Sequence, residues 1–282
     1  MKLLIILVML FSQSLYAKSM RVMTFNTTCS VCEKGKFDSF SKRKYWIVDT
    51  IKRANPDLIS MQEVLFPHQL HWIKKKLKDY HVTYYRKFYF LRHTDSALFT
   101  RKDRFRINRY GGFWLGPRGG WFSFGWKPRL PRRIEWQKLE DLDTGHEFYF
   151  IGSHFDNKTK NKDNSAKMLL KRFKGTELPV LFAADTNLKP SKEGYGILTS
   201  FFDDTYDLSP KITLVRNSDT SENDSCNLEK GKTFPECRVD HIFVSKKDQW
   251  IVSNWAVDQF KYGKKQRFTS DHRALFVDLE LK

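Results

Sequence analysis

Glu63, His154, Asp185, Asp240 with His241, and Asp271 with His272 each stand within, at the end of, or just before a short apolar run. A charged group is costly to bury unless it is paired, hydrogen-bonded or bound to a metal. Carboxylates and imidazoles are also the groups that hold cations and move protons near neutral pH. Acids and histidines far apart along the chain, yet repeatedly placed at strand ends, therefore predict one convergent polar site at the rim of a sheet.

The elements that must position them are short. Residues 21–26 read as a buried strand ending in the polar Asn26. Residues 41–54 read as a helix with Ile47, Val48, Ile51 and Ala54 on one face and Pro56 just past its end. Residues 58–62 form a short apolar strand that delivers Glu63, and a helix after Pro67 buries Leu70, Ile73 and Leu77 while exposing Lys74, Lys75, Lys76 and Lys78. Strands are predicted at 81–86, 96–100, 147–153 (with His154 at its exit), 179–184 (ending at Asp185), 238–245 and 273–281. Ala166, Leu169, Leu170 and Phe173 carry the spacing of a helix packed on a sheet. Short apolar runs alternating with amphipathic stretches, without repeats or a long linker, argue for a mixed α/β chain.

Six segments occur in order: Thr24-Phe25-Asn26, Gln62-Glu63-Val64, Gly152-Ser153-His154-Phe155-Asp156, Ala184-Asp185-Thr186-Asn187, Val239-Asp240-His241-Ile242-Phe243 and Ser270-Asp271-His272. Each is commonplace alone. Together they resemble the endonuclease/exonuclease/phosphatase superfamily, which includes pancreatic-type deoxyribonucleases, abasic-site endonucleases, sphingomyelinases and inositol polyphosphate phosphatases. The resemblance runs from about residue 21 to the C-terminus. It implies a four-layered α/β/β/α sandwich with two packed, mainly antiparallel sheets and the site at one end.

The resemblance also implies roles. Glu63 is the principal carboxylate ligand of a divalent metal, helped by Asn26 and Asp271. Hard oxygen ligands suit Mg²⁺ shared with a substrate phosphate, with Mn²⁺ or Ca²⁺ as substitutes. His272 is the general base or its electrostatic equivalent, oriented by Asp240. Asp185 and Asn187 position the attacking water and a phosphate oxygen. His154 stabilises the phosphate or protonates the leaving oxygen, and Asp95 is its candidate partner. Such a set meets a physical need: a phosphodiester anion repels hydroxide, so a site must neutralise charge, orient water and assist the departing alkoxide. His241, alternating with Asp240 along its strand, reads as structural; Asp156 and Asn157 read equally as substrate contacts or loop caps. The family often shows Gly-Asp-Phe-Asn where this chain has Ala184-Asp185-Thr186-Asn187, so the intervening aromatic is lost.

From Arg104 to Arg133 there is no acid, and the basic residues Arg104, Arg106, Arg109, Arg118, Lys127, Arg129, Arg132 and Arg133 are interleaved with aromatics and glycines. Phe113-Trp114-Leu115 and Pro131-Arg132 resemble a bacterial subgroup of the same superfamily. Three readings follow: a groove for nucleic acid, a Trp/Phe-tipped loop dipping into a membrane surface, or core aromatics beneath a basic rim. The formal charge of +18 draws the chain to polyanions without choosing among them. The expected activity is metal-dependent phosphodiester hydrolysis of DNA or RNA, the alternatives being a sphingomyelinase-like lipid phosphodiesterase or a phosphatase on a soluble metabolite; a monomer is expected.

Lys2, the apolar run Leu3–Phe11 and Ala17 read as a signal peptide over residues 1–17, leaving one catalytic domain over 18–282 and placing it in the periplasm or outside the cell. Four cysteines in an exported chain suggest two disulfides. Cys226 and Cys237 close a short polar loop and are the favoured pair, while Cys29-Ser-Val-Cys32 reads as a tight disulfide, a redox pair or half a zinc site.

Overall fold

The computed structural model describes residues 19–32, 39–86, 93–118, 126, 131–217 and 237–282. Along the chain run β1 (Met20–Asn26), α1 (Phe40–Ala54), β2 (Leu58–Gln62), α2 (Pro67–Lys76), β3 (Tyr80–Tyr85), β4 (His93–Arg101), β5 (Phe105–Trp114), β6 (Arg133–Asp141) and β7 (Glu147–His154). They are followed by α3 (Thr159–Phe173), β8 (Val180–Asp185), α4 (Glu193–Thr199), β9 (Phe202–Asp204), α5 (Thr205–Leu208), β10 (Ile212–Val215), β11 (Asp240–Ser245), β12 (Trp250–Asp258) and β13 (Leu275–Leu281).

Strand alternation decides what each face meets. Val22, Leu58, Leu98, Leu181, Ala183, Val277 and Leu279 point between the sheets into a shared core. Their neighbours Met23, Phe25, Ile59, Met61 and Phe99 point outward, where Ile47, Ile51, Leu70 and Ile73 of α1 and α2 cover them. On the opposite side Ile151, Phe182 and Phe243 meet Ala166, Leu169 and Phe173 of α3. Central strands covered on both faces read as continuous apolar runs, as these do. The result is the expected α/β/β/α sandwich.

One sheet has seven strands in the order β10-β12-β13-β1-β2-β4-β3, the other six in the order β5-β6-β7-β8-β11-β9. Most pairings are antiparallel, but β1 runs parallel to β2, β7 to β8 and β10 to β12. The two central parallel pairs, β1–β2 and β7–β8, point their C-terminal ends to one rim. Gly152 in β7 lets the sheets approach there: a Cβ would lie 2.4 Å from Ser60 Oγ and 2.5 Å from Leu98 Cδ2.

The segment 104–133 begins with a strand that the sequence reading does not assign. Phe105–Trp114 is an edge strand, and Phe105, Phe113 and Trp114 are buried. Arg104 is buried against Asp57 and Asp141 at 3.2 and 3.3 Å. Lys127 and Arg129, the aromatics 121–124, residues 1–18 and Cys226 lie outside the described residues. Cys29 and Cys32 form a disulfide, which removes the zinc reading. Among the described residues no helix is long and apolar enough to cross a membrane.

Candidate active site

Register places the site. His154 ends β7 opposite Asp185 at the end of β8, and Asp185 lies opposite Asp240 at the start of β11. Three chemically active side chains thus stand at one level on adjacent strands. In the facing sheet Asn26 ends β1 opposite Gln62, the last residue of β2, with Glu63 one step on. Asn26 Nδ2 donates to Asp185 Oδ2 at 2.9 Å, which ties the two sheets together across the rim.

The side chains form a row of alternating acids and imidazoles. Asp95 Oδ1 lies 3.1 Å from His154 Nδ1, and His154 Nε2 lies 3.3 Å from Asp185 Oδ2. The same Asp185 oxygen is 3.8 Å from His272 Nε2, and His272 Nδ1 is 2.7 Å from Asp240 Oδ2. Glu63 Oε1 stands 3.9 Å from His154 Nε2.

This alternation sets the charges. Burial opposes a proton on His272, but Asp240 and Asp185 outweigh it and raise its pKa well above the ordinary imidazole value. Burial and the Arg132 guanidinium likewise oppose charge on His154, and Asp95 with Asp185 still raise it. Burial pushes Asp185 up, yet the two imidazoles and the hydrogen bonds from Asn26 and the Asn187 amide hold it below the usual carboxylate range. These shifts favour an ionised Asp185 and protonated rings on either side of it.

The loop after β1 organises the other edge. Asn26 Oδ1 accepts from the Thr28 amide at 3.0 Å, and the Cys29 amide donates to Glu63 Oε2 at 2.6 Å. Thr28 Oγ1 donates to Asp271 Oδ1, and Ser270 Oγ donates to Asn26 O at 2.7 Å. Arg43, wholly buried in α1, donates to the carbonyls of Thr27, Thr28 and Thr269 at 2.6, 2.9 and 2.9 Å. One guanidinium thus clamps the loop bearing Asn26 to the loop bearing Asp271 and His272. Thr28, Glu63 and Asn187 have φ of 58°, 65° and 52°, a region that side chains other than Asn and Asp seldom occupy. Such backbone persists when its surroundings over-determine it, and it clusters at working sites.

Asn187 is held from behind. Its amide donates to Asp185 Oδ1 at 2.9 Å, its side chain to Phe155 O at 3.0 Å, and Lys162 Nζ donates to its carbonyl at 2.7 Å. Burial lowers the Lys162 pKa from the usual lysine value. His241 lies away from the row, with Nδ1 3.0 Å from Asp204 Oδ2 and Nε2 2.9 Å from Leu188 O. Asp156 caps its own loop by accepting from the Asn157 amide and the Asn161 side chain.

For a cation, Glu63 is the donor with room. Its side chain is 21% exposed, one oxygen is held by an amide, and the other faces the row. Oxygen donors of this kind, few and partly open to water, fit Mg²⁺ or a similar hard ion. Asn26 and Asp271 join Glu63 through the Thr28–Cys29 loop. Two clusters of potential ligand atoms within 4.8 Å of one another occur among the described residues: Cys29, Cys32 and Glu63, and Asp185, Asp240 and His272. Asp271 is in neither, and the first is disqualified by its disulfide.

Arg132, Arg43 and Thr28 carry no such sequence signal as ligands of this row. Arg132 Nη1 lies 2.6 Å from His154 Nδ1 and also binds Asp95. Only the Pro131-Arg132 dipeptide in the subgroup resemblance pointed to it.

A family model described as the endonuclease/exonuclease/phosphatase family matches residues 23–272. The chain belongs to this family. Members are phosphoric ester hydrolases that generally use divalent metal ions. A family protein of solved structure from Bacteroides thetaiotaomicron is 26% identical, with TM-score 0.79, covering 94% of this chain and 99% of that one. A mannosyl-6-phosphatase from the same organism is 27% identical with TM-score 0.77, covering 93% of this chain and 99% of its own. The zebrafish TDP2 structure complexed with a single-strand DNA product, 17% identical with TM-score 0.69 over 93% of this chain and 99% of that one, shares the fold. A search of curated protein sequences finds no significant relative.

Proposed function

We propose that this chain is an exported, metal-dependent phosphodiesterase that cleaves nucleic acid. The observation that carries the reading is the row Asp95–His154–Asp185–His272–Asp240, with Glu63 beside it. A bound divalent ion held by Glu63, with Asn26 and Asp271, would supply charge neutralisation at the phosphate.

The side chains supply the rest. Two imidazolium groups, His154 and His272, offer preorganised positive charge where negative charge grows in the transition state. Asp185, oriented by Asn26 and Asn187, takes a proton from the attacking water. His154 Nε2 gives its proton to the departing oxygen, which makes the alkoxide a better leaving group. After turnover Asp185 carries one proton too many and His154 one too few. Their 3.3 Å contact lets the proton return directly, so the cycle closes without a further group. Asp240 and Asp95 hold the two rings in place from behind.

The charge of +18 supports a polyanionic substrate. Export is supported by the apolar residues 3–11 and by the Cys29–Cys32 disulfide. A second reading, a phosphatase on a sugar phosphate, is favoured by the likeness to the mannosyl-6-phosphatase. A panel decides between them: plasmid DNA, single-stranded DNA, RNA, bis(p-nitrophenyl) phosphate, mannose 6-phosphate and sphingomyelin liposomes, each with Mg²⁺ or Mn²⁺ and with EDTA. Nicking of plasmid that EDTA stops supports the nuclease. Phosphate release from the sugar ester without any strand cleavage would replace it with the phosphatase, and choline-phosphate release alone with a lipid enzyme.

A further inference from the structure

Among the described residues the two sheets end on one side of the sandwich in the edge strands β3 and β5. Between them opens a cavity of about 890 Å³. Its charged lining is Lys74, Arg86, Lys102, Arg106 and Arg133 against one carboxylate, Glu135. That carboxylate is buried and accepts from Arg133 Nε at 2.7 Å, so it does not offset the positive rim. The guanidinium of Arg133 lies over Tyr85 and Trp114, 4.2 and 4.8 Å from the ring centres. Gly112 makes this floor possible: a Cβ there would meet Arg133 Nη2 at 2.4 Å and Glu135 Oε2 at 2.6 Å.

The rim carries an exposed aromatic face as well as charge. Tyr110 is 67% exposed, and on the opposite wall Tyr84 is partly buried beneath Arg86 at 4.4 Å. Exposed rings beside cations stack unpaired bases while the cations follow the phosphates. A duplex keeps its base faces hidden, so rings of this kind favour a single strand.

Chain and register link residues of the groove to the site already described. Tyr85 pairs with His93, two residues before Asp95. Arg133 follows Arg132, whose guanidinium touches both Asp95 and His154. Arg133 at the start of β6 and Arg132 just before it therefore serve the groove floor and the His154 end of the acid–imidazole row.

We propose that the β3–β5 groove is a binding subsite for single-stranded nucleic acid on the leaving-group side of the cleaved ester. It rests on the nuclease reading and extends it. A base stacks on Tyr110, and phosphates run along Lys74, Arg86 and Lys102.

The test uses the full mature chain, with Tyr110→Ala and the double variant Lys74→Gln/Lys102→Gln, none of them in the catalytic row. Turnover of bis(p-nitrophenyl) phosphate should be unchanged, which also shows that the variants fold. For a labelled single-stranded oligonucleotide, Tyr110→Ala should raise KM roughly tenfold with kcat preserved. Binding to the His272→Ala background, followed by fluorescence anisotropy, should lose about 1.4 from its slope against log salt when both lysines are neutralised. If the parent protein cuts the strand but every variant matches it in KM and salt slope, the groove is not the subsite. If the parent hydrolyses the small diester and leaves the strand intact, the nuclease reading itself falls and the subsite with it.

Discussion

Glu135 offers a quantitative check on the electrostatics beneath the groove. Its side chain is 7% exposed and, among the described residues, its one charged partner is Arg133. Burial, only partly countered by Arg133, pushes its pKa from 4.5 up to about 7. The folded chain thus holds this proton more tightly than the unfolded chain, so stability falls as pH rises between those values. At about 1.36 kcal/mol per pH unit the interval from 4.5 to about 7 comes to about 3 kcal/mol. Glu135→Gln keeps a carbonyl for Arg133 Nε but cannot ionise. Urea unfolding, followed by tryptophan fluorescence from about pH 5 to pH 8, should show the variant close to the parent at the acid end. It should gain on the parent steadily, by up to about 3 kcal/mol, at the alkaline end. A gap that does not change with pH would refute the reasoning and mean that water entering the groove solvates the carboxylate.

Four further outcomes are expected. His272→Ala should lower phosphoester turnover by about a thousandfold or more, and Asp240→Asn by a smaller factor in kcat; equal cleavage by the His272→Ala protein removes it from the mechanism. EDTA should abolish activity, and Glu63→Gln should weaken Mg²⁺ binding about tenfold or more by calorimetry, whereas unchanged binding would move the cation elsewhere. Arg43→Met leaves the buried carbonyls of Thr27, Thr28 and Thr269 without their donor, so chemical denaturation should show a loss of about 4 kcal/mol, and a loss under 1 kcal/mol would contradict the clamp. Burial opposes the charge on Asp204, but His241 and Arg238 hold its pKa well below the usual carboxylate range. Its stabilising effect is present at neutral pH and is lost as the pH falls below about 4, so Asp204→Asn should flatten the acid limb of the stability curve.

What the sequence made visible follows from burial. Leu58–Gln62 before Glu63 and Val180–Ala184 before Asp185 are runs that only a sheet interior accommodates, and an acid at their ends demands a partner. β6 was invisible for the opposite reason. Its inward positions include Arg133, Glu135, Gln137 and Asp141, so the two-residue alternation of apolar and polar is missing. β12 was hidden by Ser253-Asn254, where the pairing register shifts between Val252 and Asn254. Gly111-Gly112 and the surrounding arginines hid the strand β5. The Asp95–His154 contact was proposed from position, but Arg132 against the same ring has no local signature in so basic a chain. Arg43 is harder still, because it acts on backbone carbonyls, which every residue carries.

The left-handed backbone at Thr28, Glu63 and Asn187 sets a trade-off for anyone who tries to make this protein hardier. Glycine at Thr28 or Glu63 would relax the main chain, since it adopts such angles freely. A screen for heat tolerance alone would therefore tend to enrich well-folded catalysts that no longer turn over. Selection for both properties has to look for its gains far from that rim.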